Sequence, residues 1–372
     1  MITQRIKHLA IALSSCVTIT SAYANEPVLT NQTADNNAQW SWLETNVLIA
    51  DQYIVPRYQA FVKSAQKLSD EIKLLCASDK EVTLSESVQS EFESTYINWA
   101  KIQHIKFGPI SFLKRLERIQ YWPDKHNVSE RQVRKLLVSL DAGETLSLAE
   151  LQKKSVAVQG LATLERLLFS KDALLNKSEC QLATLVSENI TSIAIDLDNN
   201  WRSPPVDFAS EFSLADHGEG TYGSSKEISS LLADSLVTQL LLISEYKLGR
   251  ALPKEAGGRV YSRRLEAWRS GLSSDLLLAS LNSLYSFYQH AFEKRLGSLA
   301  PELNSRIGKQ FQQIIDLASK ESKPISQLLE SETGIEQLSN LQTKIKKLEL
   351  MIRNDMYSQL GFSTRFNSLD GD

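Results

Sequence analysis

The sequence predicts an all-α protein made of two packed helical-bundle domains, and three observations support this fold class. Only 15 Gly and 9 Pro occur among 372 residues, too few for the many turns of a multi-stranded sheet protein. Apolar residues recur at three- and four-residue spacing along most segments, which is typical of helices. The composition is that of a globular chain, 42% hydrophobic and 23% charged, and the length allows two domains.

The N-terminus has the pattern of a secretion signal. Arg5 and Lys7 form a positive segment, residues 9–20 are mostly apolar, and Ala22-Tyr23-Ala24 offers small residues at the two positions that a signal peptidase reads. The apolar run is too short to cross a membrane. We therefore predict that residues 1–24 are removed and that the protein is periplasmic.

Cys16 supports an alternative outcome of export. Leu13-Ser14-Ser15-Cys16 resembles a bacterial lipobox, which would attach a lipid to Cys16 and make the chain an outer-membrane lipoprotein. The apolar run that precedes it is short for that purpose, so plain cleavage is favoured.

The charge of the mature chain argues against one class of partner. Loss of residues 1–24 removes two cations and no acid, so the formal net charge changes from −3 to −5. A nucleic-acid surface needs a basic patch, and we expect no nucleic-acid partner. After residue 24 we also expect no transmembrane helix.

The segments follow in order. Residues 25–39 are polar and predicted to be flexible. An N-terminal bundle is predicted over 40–205 and a C-terminal bundle over 206–372, because Pro204-Pro205 ends a long helix and the loop predicted over 203–223 contains the polar, flexible segment His217-Gly218-Glu219-Gly220. The periodicity predicts helices over 40–76 (with a break near Pro56), 85–107, 112–119, 129–140, 147–169, 179–201, 224–248, 273–296, 301–320 and 332–357.

Two cysteines remain after residue 24, Cys76 and Cys180. An even pair in an oxidising compartment predicts a disulfide. The bridge would connect two helix ends and close a loop of roughly a hundred residues, which stabilises by about 4–5 kcal/mol in the chain-entropy model.

Glu165 is the first candidate site residue. It lies in an apolar helical pattern from Val158 to Phe169, where Leu161 and Leu168 share its face. A buried carboxylate is costly unless it is paired, hydrogen-bonded, protonated or metal-bound. Gly160 leaves space for the close approach of another helix or a ligand. The structural alternative is a Glu that bonds an Arg or a backbone donor.

The bend between Phe107 and Asp124 is the second candidate region. Phe107-Gly108-Pro109-Ile110 ends one helix, and Tyr121-Trp122-Pro123-Asp124 ends the next. The bend is predicted to form one wall of a pocket near Glu165, and Arg115 or Arg118 is a candidate charge partner of that carboxylate. The alternative is a structural corner packed by Trp122.

The remaining candidates carry weaker signals. Gln103 is a polar residue on a buried stripe, and the adjacent His104 is more simply a core-edge histidine. His217 and Glu219 are close in sequence, but loop neighbours rarely hold a metal without further ligands. Arg269, with Glu266, is a binding candidate, against the alternative of a helix-start salt bridge beside Trp268.

Five motifs together resemble the imelysin-like family over nearly the whole mature chain. They are Val55-Pro56-Arg57-Tyr58 with Phe61, the Phe-Gly-Pro to Trp-Pro-Asp bend over 107–124, Gly160 to Glu165 with Leu167-Leu168-Phe169, Leu265-Glu266-Ala267-Trp268-Arg269-Ser270, and the tail from Gly361-Phe362. The resemblance implies two packed helical bundles, residence in the periplasm or on an outer-membrane surface, and a link to iron acquisition.

One position departs from the family pattern. Better-known members have Gly-x-His-x-x-Glu, which is linked to a peptidase assignment and to metal binding, whereas the His position here is Ala162. Only half of the proposed metal pair is present, as in an iron-regulated branch of the family that lacks the motif His.

The sequence thus favours a non-catalytic periplasmic binding protein, with iron or another divalent metal as the possible cofactor and outer-membrane or periplasmic uptake components as possible partners. An anionic chelate held by arginines is equally compatible with these residues. The alternatives are an imelysin-type metallopeptidase and an interaction scaffold without a small ligand. Catalytic zinc needs about three protein ligands and a water, and no His-Glu-x-x-His motif is found.

Overall fold

The computed structural model describes residues 41–78, 80–169, 174–255, 257–320 and 323–363. The predicted signal peptide, Cys16, the 25–39 segment and most of the C-terminal tail lie outside the described residues. The described part is mostly helical with two short strands, which confirms the all-α fold class. All of it belongs to one compact unit, and the division into two bundles near residue 205 stays a prediction.

Sixteen α-helices are found in the described residues. They are α1 (Trp42–Ile49), α2 (Val55–Leu75), α3 (Glu86–Ile102), α4 (Arg115–Ile119), α5 (Val128–Asp141), α6 (Leu148–Lys153), α7 (Gly160–Leu168), α8 (Lys177–Arg202), α9 (Ser210–Leu214), α10 (Ser225–Leu241), α11 (Ser273–Tyr288), α12 (Lys294–Leu299), α13 (Pro301–Lys320), α14 (Ile325–Leu328), α15 (Glu332–Leu350) and α16 (Tyr357–Leu360).

Tighter and wider helical turns join several of these helices. The 3₁₀ turns are Gly108–Lys114, Val156–Val158 and Ser262–Arg264, and the π-helical turns are Ala50–Ile54, Leu242–Leu248, Gln289–Glu293 and Met351–Met356. The predicted break near Pro56 takes the form of the π turn Ala50–Ile54, just before the proline. Proline has no N–H to donate, so one backbone hydrogen bond of the helix is missing at this point. The widened π turn lies where the regular hydrogen-bond pattern is interrupted.

Several predicted elements differ from the structure. The loop predicted over 203–223 contains α9, and the helix predicted over 85–107 ends at Ile102. The helix predicted over 147–169 is divided into α6 and α7, because the backbone is extended at Lys154 and again at Gln159, the residue before α7. The predicted loop over 77–84 contains β1 (Val82–Thr83), which pairs antiparallel with β2 (Leu174–Leu175). Periodicity over so few residues gives no signal for either feature.

The core is a continuous cluster of buried apolar side chains. α2 packs on α3 and α8, α11 packs on α3 and α13, and α10 packs on α1 and α15. The Cys76–Cys180 disulfide is present, with a Cα–Cα distance of 5.4 Å, and confirms the predicted bridge. It joins the end of α2 to the beginning of α8.

One described helical stretch, Ser225–Leu248, is long and apolar enough to cross a membrane by length and composition. Of its most apolar window, 67% is buried inside the protein, as in a core helix. The absence of a transmembrane helix stays a prediction.

Candidate functional site

A cleft of about 940 Å³ opens beside α7. One wall consists of residues 121–125, 127, 129 and 130 together with Ala162, Glu165 and Arg166 of α7, and the other consists of residues 259–265 and 267–269 with Arg250. Tyr96 of α3 also lines it. Its size is within the usual range for small-molecule sites. We refer to this space as the cleft.

Gly160 fixes the position of α7 against the bend. It has a φ of +77°, and an added Cβ would lie 2.3 Å from the carbonyl oxygen of Ile119 and 2.5 Å from that of Arg118. Only glycine meets both conditions. The close approach predicted at this glycine is therefore that of the α4 backbone, and it sets the start of the helix that carries Ala162 and Glu165 to the cleft.

Glu165 is buried, and its hydrogen bonds go to a turn on the opposite wall. Its Oε1 accepts from the backbone N–H of Arg269 at 2.8 Å, the backbone N–H of Ser270 at 2.9 Å and the Ser270 hydroxyl at 3.0 Å. Burial raises the pKa of the Glu165 carboxyl, and the bonds from Ser270 act in the opposite direction. Glu165 therefore holds the turn over residues 267–271, which presents Trp268 and Arg269 to the cleft.

The predicted pairing of Glu165 with Arg115 or Arg118 is wrong. Arg118 donates to the side-chain oxygens of Gln159 at 3.1 Å and Asn189 at 3.0 Å. The Arg115 guanidinium donates to the Pro109 carbonyl at 2.9 Å and to Asn200. Arg115 is thus held by the bend and α8, and Arg118 by Gln159 and α8, and neither lines the cleft.

Glu266 is the second buried carboxylate, and the salt bridge predicted between it and Arg269 is also absent. Its Oε2 lies 2.6 Å from Lys247 Nζ, and both side chains are almost fully buried. Gln120 Nε2 donates to its Oε1 and also to the Tyr96 hydroxyl at 3.0 Å. Lys247 also donates to Gln103 at 3.3 Å, so Gln103 belongs to this buried network and not to the cleft wall.

Tyr96 lies near both carboxylates. Burial raises the pKa of its phenol well above the usual range, and the negative charges of Glu266 and Glu165 raise it further. Tyr96 is therefore a neutral hydroxyl at the back of the cleft.

The opposite wall is basic and aromatic. The Arg264 guanidinium carbon lies 3.8 Å from the centroid of the Tyr261 ring, and that of Arg269 lies 4.2 Å from the Trp268 ring. Cation–π contacts of this kind orient guanidinium planes. The cationic residues that line the cleft, within the described chain, are Lys125, Arg166, Arg250, Arg259, Arg263, Arg264 and Arg269, and the acidic ones are Asp124, Glu130 and Glu165.

The donor set does not fit a metal ion bound by the protein alone. The described ranges contain no group of three or more His, Cys, Asp or Glu side chains that could hold a metal. Ala162, at the position of the family's His, lines the cleft and has no ligating atom. Asp124 is also committed, because its carboxylate accepts from the backbone N–H groups of Val128 and Ser129 at the start of α5.

The structure brings together only part of the predicted site. Glu165, Trp122, Asp124, Trp268 and Arg269 line the cleft. Gly108 lies instead against the Phe208 ring, where an added Cβ would be 2.6 Å from the nearest ring atom; the cleft lining also excludes Pro109, Gln103, Arg115 and Arg118.

Several lining residues were not predicted, above all Arg259, Tyr261, Arg263 and Arg264. Three arginines within the six residues Arg259-Val260-Tyr261-Ser262-Arg263-Arg264 were the available signal. The weaker candidates have ordinary positions. His104 is buried against Tyr53, and burial lowers its pKa to about 3. His217 and Glu219 are exposed.

Comparisons with known proteins agree with this fold. The family model described as imelysin matches residues 54–351. An imelysin-like protein from Psychrobacter arcticum 273-4 superposes with a TM-score of 0.70 at 18% identity, covering 87% of this chain and 98% of that one. An iron-regulated protein A precursor from Parabacteroides distasonis ATCC 8503 gives a TM-score of 0.65 at 15% identity, covering 84% and 95%. No curated protein matches the sequence.

The structural likenesses support the fold, and the family model spans most of the chain and includes the α7 signature. The chain belongs to the imelysin family.

Proposed function

We propose that this chain is an exported, non-catalytic binding protein linked to iron acquisition, and that its ligand occupies the cleft. The observation that carries this proposal is the position of the family signature, because Ala162 and Glu165 both line the cleft. Export is supported by the signal-like N-terminus, and the link to iron by the similar fold of an iron-regulated protein A precursor.

The donor set supports a non-catalytic role. A catalytic zinc needs about three protein ligands, and the described residues offer no such group. Glu165 has a structural role in this arrangement, because its Oε1 accepts three hydrogen bonds from the 267–271 turn.

Ligand-induced stabilisation tests the proposal. The protein without residues 1–24 is heated with Fe(II), Fe(III), Zn(II), Cu(II), haem and ferric citrate, and its metal content is measured after purification. We expect at least one of these to raise the melting temperature of the wild type and to lose that effect in Ala162→Trp, which fills the cleft. Ala142→Trp, on an exposed residue after α5, is the matched control and keeps the effect.

Two outcomes would contradict the proposal. If none of these ligands stabilises the protein, the interaction-scaffold alternative is favoured. If the protein cleaves peptides and chelators abolish the cleavage, it is a metallopeptidase.

A further inference from the structure

The cleft has an excess of positive charge that its own carboxylates do not neutralise. Of the three acidic residues that line it among the described residues, Asp124 caps α5, Glu165 holds the 267–271 turn, and Glu130 pairs with Arg134 and Arg166. None of the ion pairs found in the described chain involves the other arginines of the cleft, Arg250, Arg259, Arg263, Arg264 and Arg269.

These arginines also repel one another. Burial lowers the pKa of Arg269, and the charges of Arg166 and Arg263 lower it further, whereas Glu165 and Glu130 act in the opposite direction. Burial and the neighbouring charge of Arg264 both lower the pKa of Arg250. Like charges at close range cost free energy unless an opposite charge enters. A bare cation in this cleft would increase that cost.

The guanidinium groups are held ready for a ligand. Stacking on Tyr261 and Trp268 fixes their planes, so less side-chain entropy is lost when an oxyanion binds. The backbone bonds from Arg269 and Ser270 to Glu165 fix the turn that carries Arg269. A planar guanidinium donates two parallel hydrogen bonds to a carboxylate or phosphate group.

We infer that the cleft binds a polyvalent oxyanion of small-molecule size, a polycarboxylate or its metal chelate, through the stacked arginines of residues 259–269. The inference rests on the proposed function and names the ligand class of that site. A volume of about 940 Å³ accommodates a whole chelate and not just one oxyanion group. Any metal would then enter with its ligands already supplied, which agrees with Ala162 at the position of the family His.

Isothermal titration of the chain without residues 1–24 tests this inference, with citrate, ferric citrate, Fe(II) and Zn(II) as the probes. We expect one-to-one binding of citrate or ferric citrate, a loss of affinity of at least about tenfold in R264A/R269A, and weaker binding as the salt concentration rises. The control R306A removes an exposed arginine of α13 that is outside the cleft lining, and it leaves the affinity unchanged. Melting temperatures confirm that each variant is folded.

Comparison of the citrate and ferric citrate titrations shows whether the ligand is the free polycarboxylate or its metal chelate. Tighter binding of ferric citrate indicates a chelate as ligand, and equal binding indicates the polycarboxylate itself. One-to-one binding of Fe(II) or Zn(II) alone, unaffected by R264A/R269A, would overturn the inference and leave the proposed function standing. Failure of all four probes would overturn the inference, and the proposed function would also fall if haem, Fe(III) and Cu(II) gave no thermal shift.

Discussion

Two carboxylates near Tyr96, Glu165 in the cleft lining and Glu266 in the core behind it, are equally buried, each 3% exposed, and are held in different ways. Glu266 forms an ion pair with Lys247 and accepts from Gln120. Glu165 has no ion pair among the described residues and accepts from the backbone of Arg269 and Ser270. Both lie close enough to Tyr96 to raise its pKa.

This difference in partners makes Glu266 a core residue and Glu165 a residue that shapes the cleft. The Glu266 charge is neutralised within the core, and its removal is expected to affect folding first. Glu165 stabilises a turn of the cleft wall through neutral donors, so its loss is expected to alter the presentation of Trp268 and Arg269. A buried carboxylate in a family signature is thus explained without a metal.

The largest expected effect comes from breaking the Glu266 ion pair. Lys247→Met leaves Glu266 buried without its cation, and we expect the free energy of unfolding to fall by about 3–5 kcal/mol. Urea denaturation measures the loss. The double variant Lys247→Met/Glu266→Gln should recover part of it, because no uncompensated charge remains. Additive losses in the double variant would show that the two residues do not act as a pair.

A slightly smaller loss of stability is expected from a substitution at Gly160, the first residue of the helix that carries Glu165. Gly160→Ala places a methyl group against the α4 carbonyls at a positive φ, and we expect a loss of about 3 kcal/mol or more. Gly143→Ala is the matched control, since Gly143 has a φ of +90° but nothing within 4 Å of its added Cβ. It should lose only about 1 kcal/mol. Equal losses at the two sites would contradict the close packing of α7 on α4.

Removal of the Glu165 acceptor has an intermediate effect. Glu165→Ala leaves the N–H groups of Arg269 and Ser270 without their acceptor, at a cost of about 2 kcal/mol. Amide hydrogen exchange should accelerate at these two residues while that of the α3 core is unchanged. Unchanged exchange at Arg269 and Ser270 would show that Glu165 does not hold the turn.

Glu165→Gln gives the smallest effect on stability, because the amide oxygen still accepts from the turn, and we expect a loss below about 1 kcal/mol at neutral pH. Since burial raises the pKa of Glu165 in the folded protein, the folded state retains a proton that the unfolded state has released. Stability from this group is therefore greatest at low pH and falls as the pH rises through the folded pKa.

Urea denaturation across this pH range checks the sign of that dependence. The wild type should gain stability relative to Glu165→Gln as the pH falls from above the folded pKa towards the unfolded pKa. A wild type that instead loses relative stability on acidification would indicate a carboxylate whose pKa is lowered, as expected next to a metal ion or a close cation.

The sequence predicted much of this molecule, and the limits have physical causes. The long helices follow from apolar spacing, the Cys76–Cys180 bridge from an even pair of cysteines after the predicted signal peptide, and the burial of Glu165 from its position on an apolar face. Local patterns are sufficient for these features, since each depends on residues within a few turns or on chemistry alone.

The hydrogen-bond and ion-pair partners of the buried polar residues could not be predicted from local sequence patterns. Lys247, the partner of Glu266, and Gln159, a partner of Arg118, lie in elements whose contacts depend on tertiary packing. The basic wall was missed because residues 259–264 have no periodicity, and their role becomes visible only when the 267–271 turn brings them opposite α7.

The most direct test of the central claim is the affinity of ferric citrate for the wild type and for Glu165→Gln, measured by isothermal titration under identical salt and pH. If Glu165 holds the turn and the arginines hold the ligand, the dissociation constant should stay within about threefold, since the amide still accepts the turn's hydrogen bonds. Loss of binding in Glu165→Gln, with Arg264→Ala/Arg269→Ala unaffected, would contradict the account and make Glu165 a direct ligand of the metal.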